Sequence, residues 1–271
     1  TISTKKTSYA EVIVESLHQA ELRNNPHVPK FIGLQPQGSG LLVFMEKVDG
    51  GNYYNLLKEK LPIDSSKEKQ QQSEIISNRA KVSIHCISGM AQGFESLHQR
   101  QLVHCDLKSE NVMFDSKTLE PRLIDFGLCV KAGEESFAGT PKTVSPEVFD
   151  KSAPQPASDV YALGCIMYEQ ITGKKASIAG QPNPDFNDQF WNESPMKECR
   201  RFIETCLQVD PENRPTTQQI LQAVRGATVT PGAENNSNPG VKDTSILDVL
   251  RPEKGYALEA KNILAGKFKT T

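Results

Sequence analysis

Between residues 8 and 23, apolar side chains recur at Val12, Ile13, Leu17, Ala20 and Leu22, mostly three or four positions apart, until Asn24-Asn25-Pro26 ends the series. That spacing predicts an amphipathic helix with a stop made of helix breakers. Val28 to Leu34 and Leu41 to Glu46 are short apolar runs around Gln35-Pro36-Gln37-Gly38-Ser39-Gly40, and predict two strands joined as a hairpin. Asp49-Gly50-Gly51 interrupts the second strand, and Tyr53 to Lys60 resumes a helical pattern. Ser65 to Ser73, with three consecutive glutamines, reads as a solvated loop. Ile75 to His98 then spreads Val82, Ile84, Ile87, Met90, Ala91, Phe94 and Leu97 around a long helix, which needs burial on most sides.

Asn111 to Phe114 and Arg122 to Ile124 flank the turn formers Asp115-Ser116-Lys117 and predict a second hairpin. From Asp159 to Val224 helical periodicity dominates. Ala227 to Asp243, rich in Gly, Pro, Asn and Thr, reads as a linker. Ser245 to Lys267 is a short amphipathic tail carrying Ile246, Leu247, Val249, Leu250, Leu258, Ile263 and Leu264, which suits docking on the body or binding a partner. A small mixed part followed by a mostly helical body predicts an α+β fold.

Composition narrows the function classes. The 271 residues suffice for one large domain or for two lobes sharing a cleft. Thirty-one basic against thirty-three acidic side chains give a formal charge of −2, so no global field draws in nucleic acid or anionic membrane. The six cysteines are scattered, without a Cys-x-x-Cys pair or zinc-like spacing, and read as reduced thiols of a cytoplasmic protein. No apolar run approaches the roughly 20 residues of a membrane span, and Thr1 to Ala10 lacks the core of a signal peptide.

The chemistry is concentrated in His104-Cys105-Asp106-Leu107-Lys108-Ser109-Glu110-Asn111, followed by Asp125-Phe126-Gly127. Phosphoryl transfer needs a carboxylate at the acceptor hydroxyl and cations against the phosphate charge. Asp106 and Lys108 supply one of each. Asn111 and Asp125 lie on opposite sides of the predicted hairpin, so pairing of its strands can bring an amide oxygen and a carboxylate to one divalent cation, and magnesium favours such hard oxygens. Alone, Asp-Phe-Gly is a common tripeptide and more often a turn; its weight comes from the loop upstream and the motifs downstream.

In this order the residues resemble the eukaryotic-type protein kinases, and the resemblance runs over nearly all of residues 8 to 226. His104 to Asn111 is similar to the family's H-R-D-L-K-x-x-N loop and Asp125-Phe126-Gly127 to its D-F-G. The resemblance implies ATP and Mg²⁺ as cofactors, Asp106 as catalytic base, Lys108 steadying the transferred phosphate, and Asn111 and Asp125 as metal ligands. Gly139 to Glu147 is similar to the end of the family's activation segment, with Ser145-Pro146-Glu147 for A-P-E; Glu147 is then expected to pair with Arg214. Ser158 to Gly164 resembles a helix start whose Asp, here Asp159, hydrogen-bonds the catalytic-loop backbone. Leu42 to Gly51 resembles the hinge between lobes: Met45 would guard the pocket, the backbone of Glu46 and Val48 would bond adenine, and Met113 would lie beneath it. Lys108 in this loop favours the serine/threonine branch.

The pattern departs from the family in two places. The first glycine is Gly33, so no Gly-rich phosphate loop precedes the first helix. Lys5 in Ile2-Ser3-Thr4-Lys5 resembles the phosphate-contacting strand lysine, with Glu15 as its expected partner and Glu11 second, at a spacing shorter than usual. Cys105 stands where the family most often has an Arg that grips a phosphorylated activation segment; a thiol cannot do so, and little dependence on such phosphorylation, for instance at Ser136, is expected. Expected organisation is therefore a partial N-lobe over 1–48, truncated or reduced, a C-lobe over 49–226, and a linker with amphipathic tail over 227–271. The alternatives are a pseudokinase or docking scaffold, and a small-molecule phosphotransferase, against which Ser145-Pro146-Glu147, Arg214 and the Asp159 helix argue by building a protein-substrate platform. His104, Tyr53, Tyr54 and Trp191 are expected to be packing residues, and Cys105 and Cys129 inert thiols.

Overall fold

A computed structural model describes residues 9–38, 40–64, 66–134, 139–226 and 241–266. The small N-terminal part consists of helix α1, Tyr9–Glu21, and the antiparallel hairpin of β1, Phe31–Gln37, and β2, Gly40–Met45. The strands run further into the turn formers than the sequence suggested, with Gln37 already paired to Gly40 and Gly38 at φ 57°. Helix α1 differs more from expectation. Its inward face carries Ser16 and Gln19, with Leu22 buried just past its end, whereas Ile13 and Leu17 are exposed. The two polar groups tolerate burial because Gln19 Nε2 donates to Pro29 O at 3.0 Å and Ser16 Oγ donates to Val12 O at 2.7 Å.

The segment after α1 is fastened to the helical body. Asn25 Nδ2 donates to the carbonyls of Gln92 and Gly93 and to Ser96 Oγ, at 2.9 to 3.1 Å. All three acceptors lie on α3, Lys69–His98. This helix starts six residues earlier than the apolar pattern indicated, since Gln and Lys are good helix formers and the glutamine run extends it as solvated turns rather than as a loop. A Cβ on Gly89 of α3 would lie 2.1 Å from Pro121 Cγ, so only glycine permits that approach.

Helix α2, Tyr53–Lys60, has the predicted bounds, and Asn52 caps it by accepting from Asn55 N at 2.9 Å. β3 is Leu102–Val103. β4, Val112–Phe114, pairs antiparallel with β5, Pro121–Leu123, as the second hairpin pattern required, and β6, Val130–Lys131, pairs with β3. Beyond these come α4, Pro146–Phe149, α5, Pro156–Thr172, the two-residue strands β7, Ser177–Ile178, and β8, Gln181–Pro182, then α6, Met196–Cys206, and α7, Thr217–Val224. The core lies where α3 and α5 pack against α6 and α7. Buried Arg79 ties three helices together: it donates to Leu61 O at 2.7 Å just past α2 and to Gln170 O at 2.5 Å near the end of α5. Carbonyls at helix C-termini carry negative partial charge, so a cation is well placed there without a carboxylate; burial lowers its pKa to about 10, still well above neutral.

The tail packs on this body. Val241, which sequence placed in the linker, is buried and exchanges hydrogen bonds with the Gln219 side chain at 2.9 and 3.2 Å. The 3₁₀ segment Thr244–Leu250 buries Ile246, Leu247, Val249 and Leu250 against α6 and α7, and α8, Tyr256–Leu264, lays Ala260, Ile263 and Leu264 on α3. Of the two uses open to an amphipathic tail, this is the docked one.

Candidate active site

The loop from His104 to Asn111 is held from below by one carboxylate. Asp159, in the first turns of α5 and 1% exposed, accepts from His104 N at 2.8 Å through Oδ2 and from Cys105 N at 3.1 Å through Oδ1. His98 Nε2 also sits 3.0 Å from Asp159 Oδ2. This grip offsets a strained backbone, since Cys105 adopts φ 65°, a left-handed value that costs a non-glycine residue about 1–3 kcal/mol. His104 is fully buried, its ring 5.3 Å from that of Phe126, and burial lowers its pKa, as suits a packing residue.

Asp106 then projects into a dense set of donors. Lys108 Nζ lies 2.5 Å from Oδ2, Thr140 Oγ1 donates to Oδ1 at 2.5 Å, and Asn111 Nδ2 donates to the Asp106 carbonyl at 2.9 Å. Burial raises the carboxyl's pKa, but the bonds from Lys108 and Thr140 and the Lys108 charge outweigh it, leaving Asp106 below the ordinary aspartate value and ionised at neutral pH. Thr140 had no role in the sequence reading. Its position just after Gly139 in the activation-segment motif was the available signal, but its hydroxyl reaches Asp106 only because the chain folds back.

Because Asn111 Nδ2 is spent on Asp106, its amide oxygen is the atom left for a cation. The β4–β5 pairing carries through to Ile124 N donating to Asn111 O at 3.0 Å, so the backbone entering Asp125 runs next to Asn111. Asp125 is a second left-handed residue, at φ 66°. A Cβ on Gly127, two residues on, would stand 3.4 Å from both Asp125 Oδ1 and Glu15 Oε2, so the α1 carboxylate and the Asp125 carboxylate flank one glycine. Lys5, the expected partner of Glu15, lies outside the described residues. Among the described residues no group of three or more His, Cys, Asp or Glu converges as a metal cage. One amide and one carboxylate suit a Mg²⁺ ion that takes its remaining oxygens from phosphates and water.

The hinge is pinned from both sides. Gly50 N donates to Phe114 O at 2.8 Å and Phe114 N to Gly51 O at 2.9 Å, and a Cβ on Gly50 would come within 2.4 Å of that Phe114 oxygen. Glu46 N donates to Lys30 O at 2.8 Å, and the Glu46 carboxylate meets Arg122 Nη1 at 3.5 Å. Among the described residues the Val48 peptide makes no backbone hydrogen bond. Met113 is half-buried on β4 and bridges to Asn52. Met45, at the end of β2 and paired with Phe31, is 42% exposed, which is more open than its expected place in a pocket wall.

The segment after the site is anchored as expected. Arg214, fully buried, donates from Nη1 to Glu147 Oε1 at 2.8 Å and from Nη2 to Oε2 at 2.7 Å. Burial raises the pKa of both Cys105 and Cys129, that of Cys129 to about 12, which disfavours the reactive thiolate.

A family profile described as Protein kinase domain matches residues 1–224. The chain is also 28% identical over 194 residues to serine/threonine-protein kinase SKM1 of Saccharomyces cerevisiae, covering 67% of this chain and 28% of that protein. Mitogen-activated protein kinase kinase kinase nsy-1 of Caenorhabditis elegans is 28% identical over 209 residues, covering 70% and 13%. Mitogen-activated protein kinase kinase kinase YODA of Arabidopsis thaliana is 26% identical over 234 residues, covering 80% and 24%. The chain thus spans less than a third of the length of these relatives.

Proposed function

The chain belongs to the protein kinase domain family, and on that premise we propose that it transfers the γ-phosphate of ATP to serine or threonine hydroxyls of a protein substrate. The observation that carries this reading is the Asp106 carboxylate, bonded to Lys108, Thr140 and Asn111 in one cluster. Asp106 orients the acceptor hydroxyl and takes its proton as the new oxygen–phosphorus bond forms and the bond from the γ-phosphorus to the β-phosphate oxygen breaks. Lys108, already against Asp106, offers its ammonium to the transferred group. The Asn111 amide oxygen and Asp125 would hold Mg²⁺, which would supply charge neutralisation to the phosphates. Adenine would sit at the hinge, bonded by the Val48 peptide and, because the Glu46 amide already donates to Lys30 O, by the Glu46 carbonyl, between Met45 and Met113. Lys5 and Glu15 are assigned to the phosphate side.

Two results test this. MgATP is expected to raise the melting temperature of the full-length protein, by an amount that Asp125→Ala largely removes; an equal shift in that variant would remove Asp125 from the site.

The second concerns regulation. Cys105 offers no cation to a phosphate, while the Thr140–Asp106 bond and the Arg214–Glu147 pair anchor the segment without one. Ser136→Ala, at a residue outside the described set, and phosphatase treatment are each expected to leave most activity at matched MgATP. Loss of most activity in either case would refute independence from activation-segment phosphorylation.

A further inference from the structure

Beside the catalytic cluster, the ammonium of Lys142 is held between two carboxylates from distant parts of the chain. Its Nζ lies 3.1 and 3.4 Å from the Glu110 oxygens and 3.1 and 3.3 Å from those of Glu169. Glu110 belongs to the catalytic loop, four residues after Asp106, whereas Glu169 comes from the far end of α5. Ser109 Oγ lies 3.2 Å from Glu110 and 3.4 Å from Glu169 and joins the pair. Lys142 stands two residues past Thr140, which touches Asp106. At about 3.3 Å per extended residue, that places its backbone no more than about 7 Å from Thr140. An acceptor peptide lying along this segment would therefore present side chains two or three residues from its hydroxyl to the same two carboxylates.

We infer that Lys142 is a specificity-determining residue: it fills a two-carboxylate cation subsite beside Asp106 and thereby removes selection for acceptors with Lys or Arg near the hydroxyl. The inference rests on the protein kinase reading for its acceptor, although the subsite itself stands on geometry. Without Lys142 two carboxylates would share one site with a single hydroxyl between them, an arrangement that strongly favours an incoming cation. With Lys142 present, an Arg of the acceptor meets a tethered competitor at an effective concentration in the millimolar range or above. The two carboxylates also shift Lys142 as expected for a formed contact. Burial lowers the pKa of Lys142, but Glu169 and Glu110 outweigh it and hold it above the ordinary lysine value. The α2 side of the subsite adds positive charge, with Lys58 Nζ 4.2 Å from the Tyr54 ring centroid and Lys142 Nζ 5.8 Å from it.

The test compares two serine peptides that differ only in Arg or Ala at the second and third positions on either side of the serine. Anisotropy measures their affinity for the full-length protein with a non-hydrolysable ATP analogue and Mg²⁺, and kcat/KM is measured with ATP. Wild type is expected to show an Arg-to-Ala preference within about twofold. Lys142→Ala should raise that preference about tenfold at low salt, Lys142→Arg should restore the wild-type ratio, and Glu169→Gln in the Lys142→Ala background should lower it again. An unchanged ratio in folded Lys142→Ala, or a tenfold Arg preference already in wild type, overturns the inference. Lys142→Met, which keeps the side-chain stem, replaces Lys142→Ala if the latter does not fold. Failure of the kinase reading would appear separately, as no turnover of either peptide by wild type, with the binding ratio still reporting on the subsite.

Discussion

Asp106→Asn is expected to lower phosphoryl transfer by about two to four orders of magnitude, the usual contribution of a positioned general base, while the chain stays folded. The amide is nearly isosteric, its oxygen can still accept from Thr140, and the bond from Asn111 Nδ2 to the backbone carbonyl of residue 106 is untouched, so the loop keeps its shape. It cannot take a proton, and it leaves the Lys108 ammonium without its anion. Circular dichroism and the melting temperature should therefore remain close to wild type while kcat falls. A rate within about threefold of wild type would remove Asp106 from the base role. The bonds from Lys108 and Thr140 also give the pH dependence a sign: they hold the carboxyl below its ordinary value, so the ionised form persists through mild acid, and activity limited by Asp106 falls only as pH drops through that lowered value.

Arg214→Met should be the most damaging single change to stability, at about 3–5 kcal/mol, because it strands a mostly buried carboxylate. All five guanidinium protons are in use: Nη1 and Nη2 each meet Glu147, Nη1 also donates to Ala157 O at 3.0 Å, Nη2 to Val209 O at 3.1 Å, and Nε to Gln208 O at 2.8 Å. Ser158 Oγ completes the Glu147 shell at 2.8 Å. Lysine has three donors and no fork, so Arg214→Lys should also destabilise, by less. For Glu147, burial raises the pKa, but the hydrogen bonds and charge of Arg214 bring it below the usual glutamate value. The pair's contribution is thus fully present above the unfolded glutamate value of about 4.3 and is lost as pH falls through the lower folded one. Urea unfolding at neutral pH and at pH 4 would show both effects, and a loss under 1 kcal/mol for Arg214→Met would contradict the anchoring role.

Elements whose partners are near in sequence were legible in advance. α2 came with its bounds, the β4–β5 hairpin came from turn formers between short apolar runs, and Glu147, Asp159 and Arg214 make the contacts expected of them. What was not legible depends on long-range approach. The apolar positions of α1 do not say that Ser16 and Gln19 face inward, because that follows from the Pro29 carbonyl arriving from the next segment. The glutamines before α3 look like a loop to a pattern that counts only apolar residues, yet they continue the helix. Lys142 drew no notice because its partners, Glu110 and Glu169, lie 32 and 27 positions away and meet only in the fold.

The central claim is that this cluster moves phosphate, and transfer of labelled γ-phosphate tests it most directly. The full-length protein, incubated with γ-labelled ATP, Mg²⁺ and a mixture of serine, threonine and tyrosine peptides, is predicted to label serine or threonine in a magnesium-dependent way. Asp106→Asn should bind MgATP as wild type does and label nothing above background. Wild-type protein that binds MgATP but labels no more than Asp106→Asn would contradict the account and leave the domain as a nucleotide-binding scaffold.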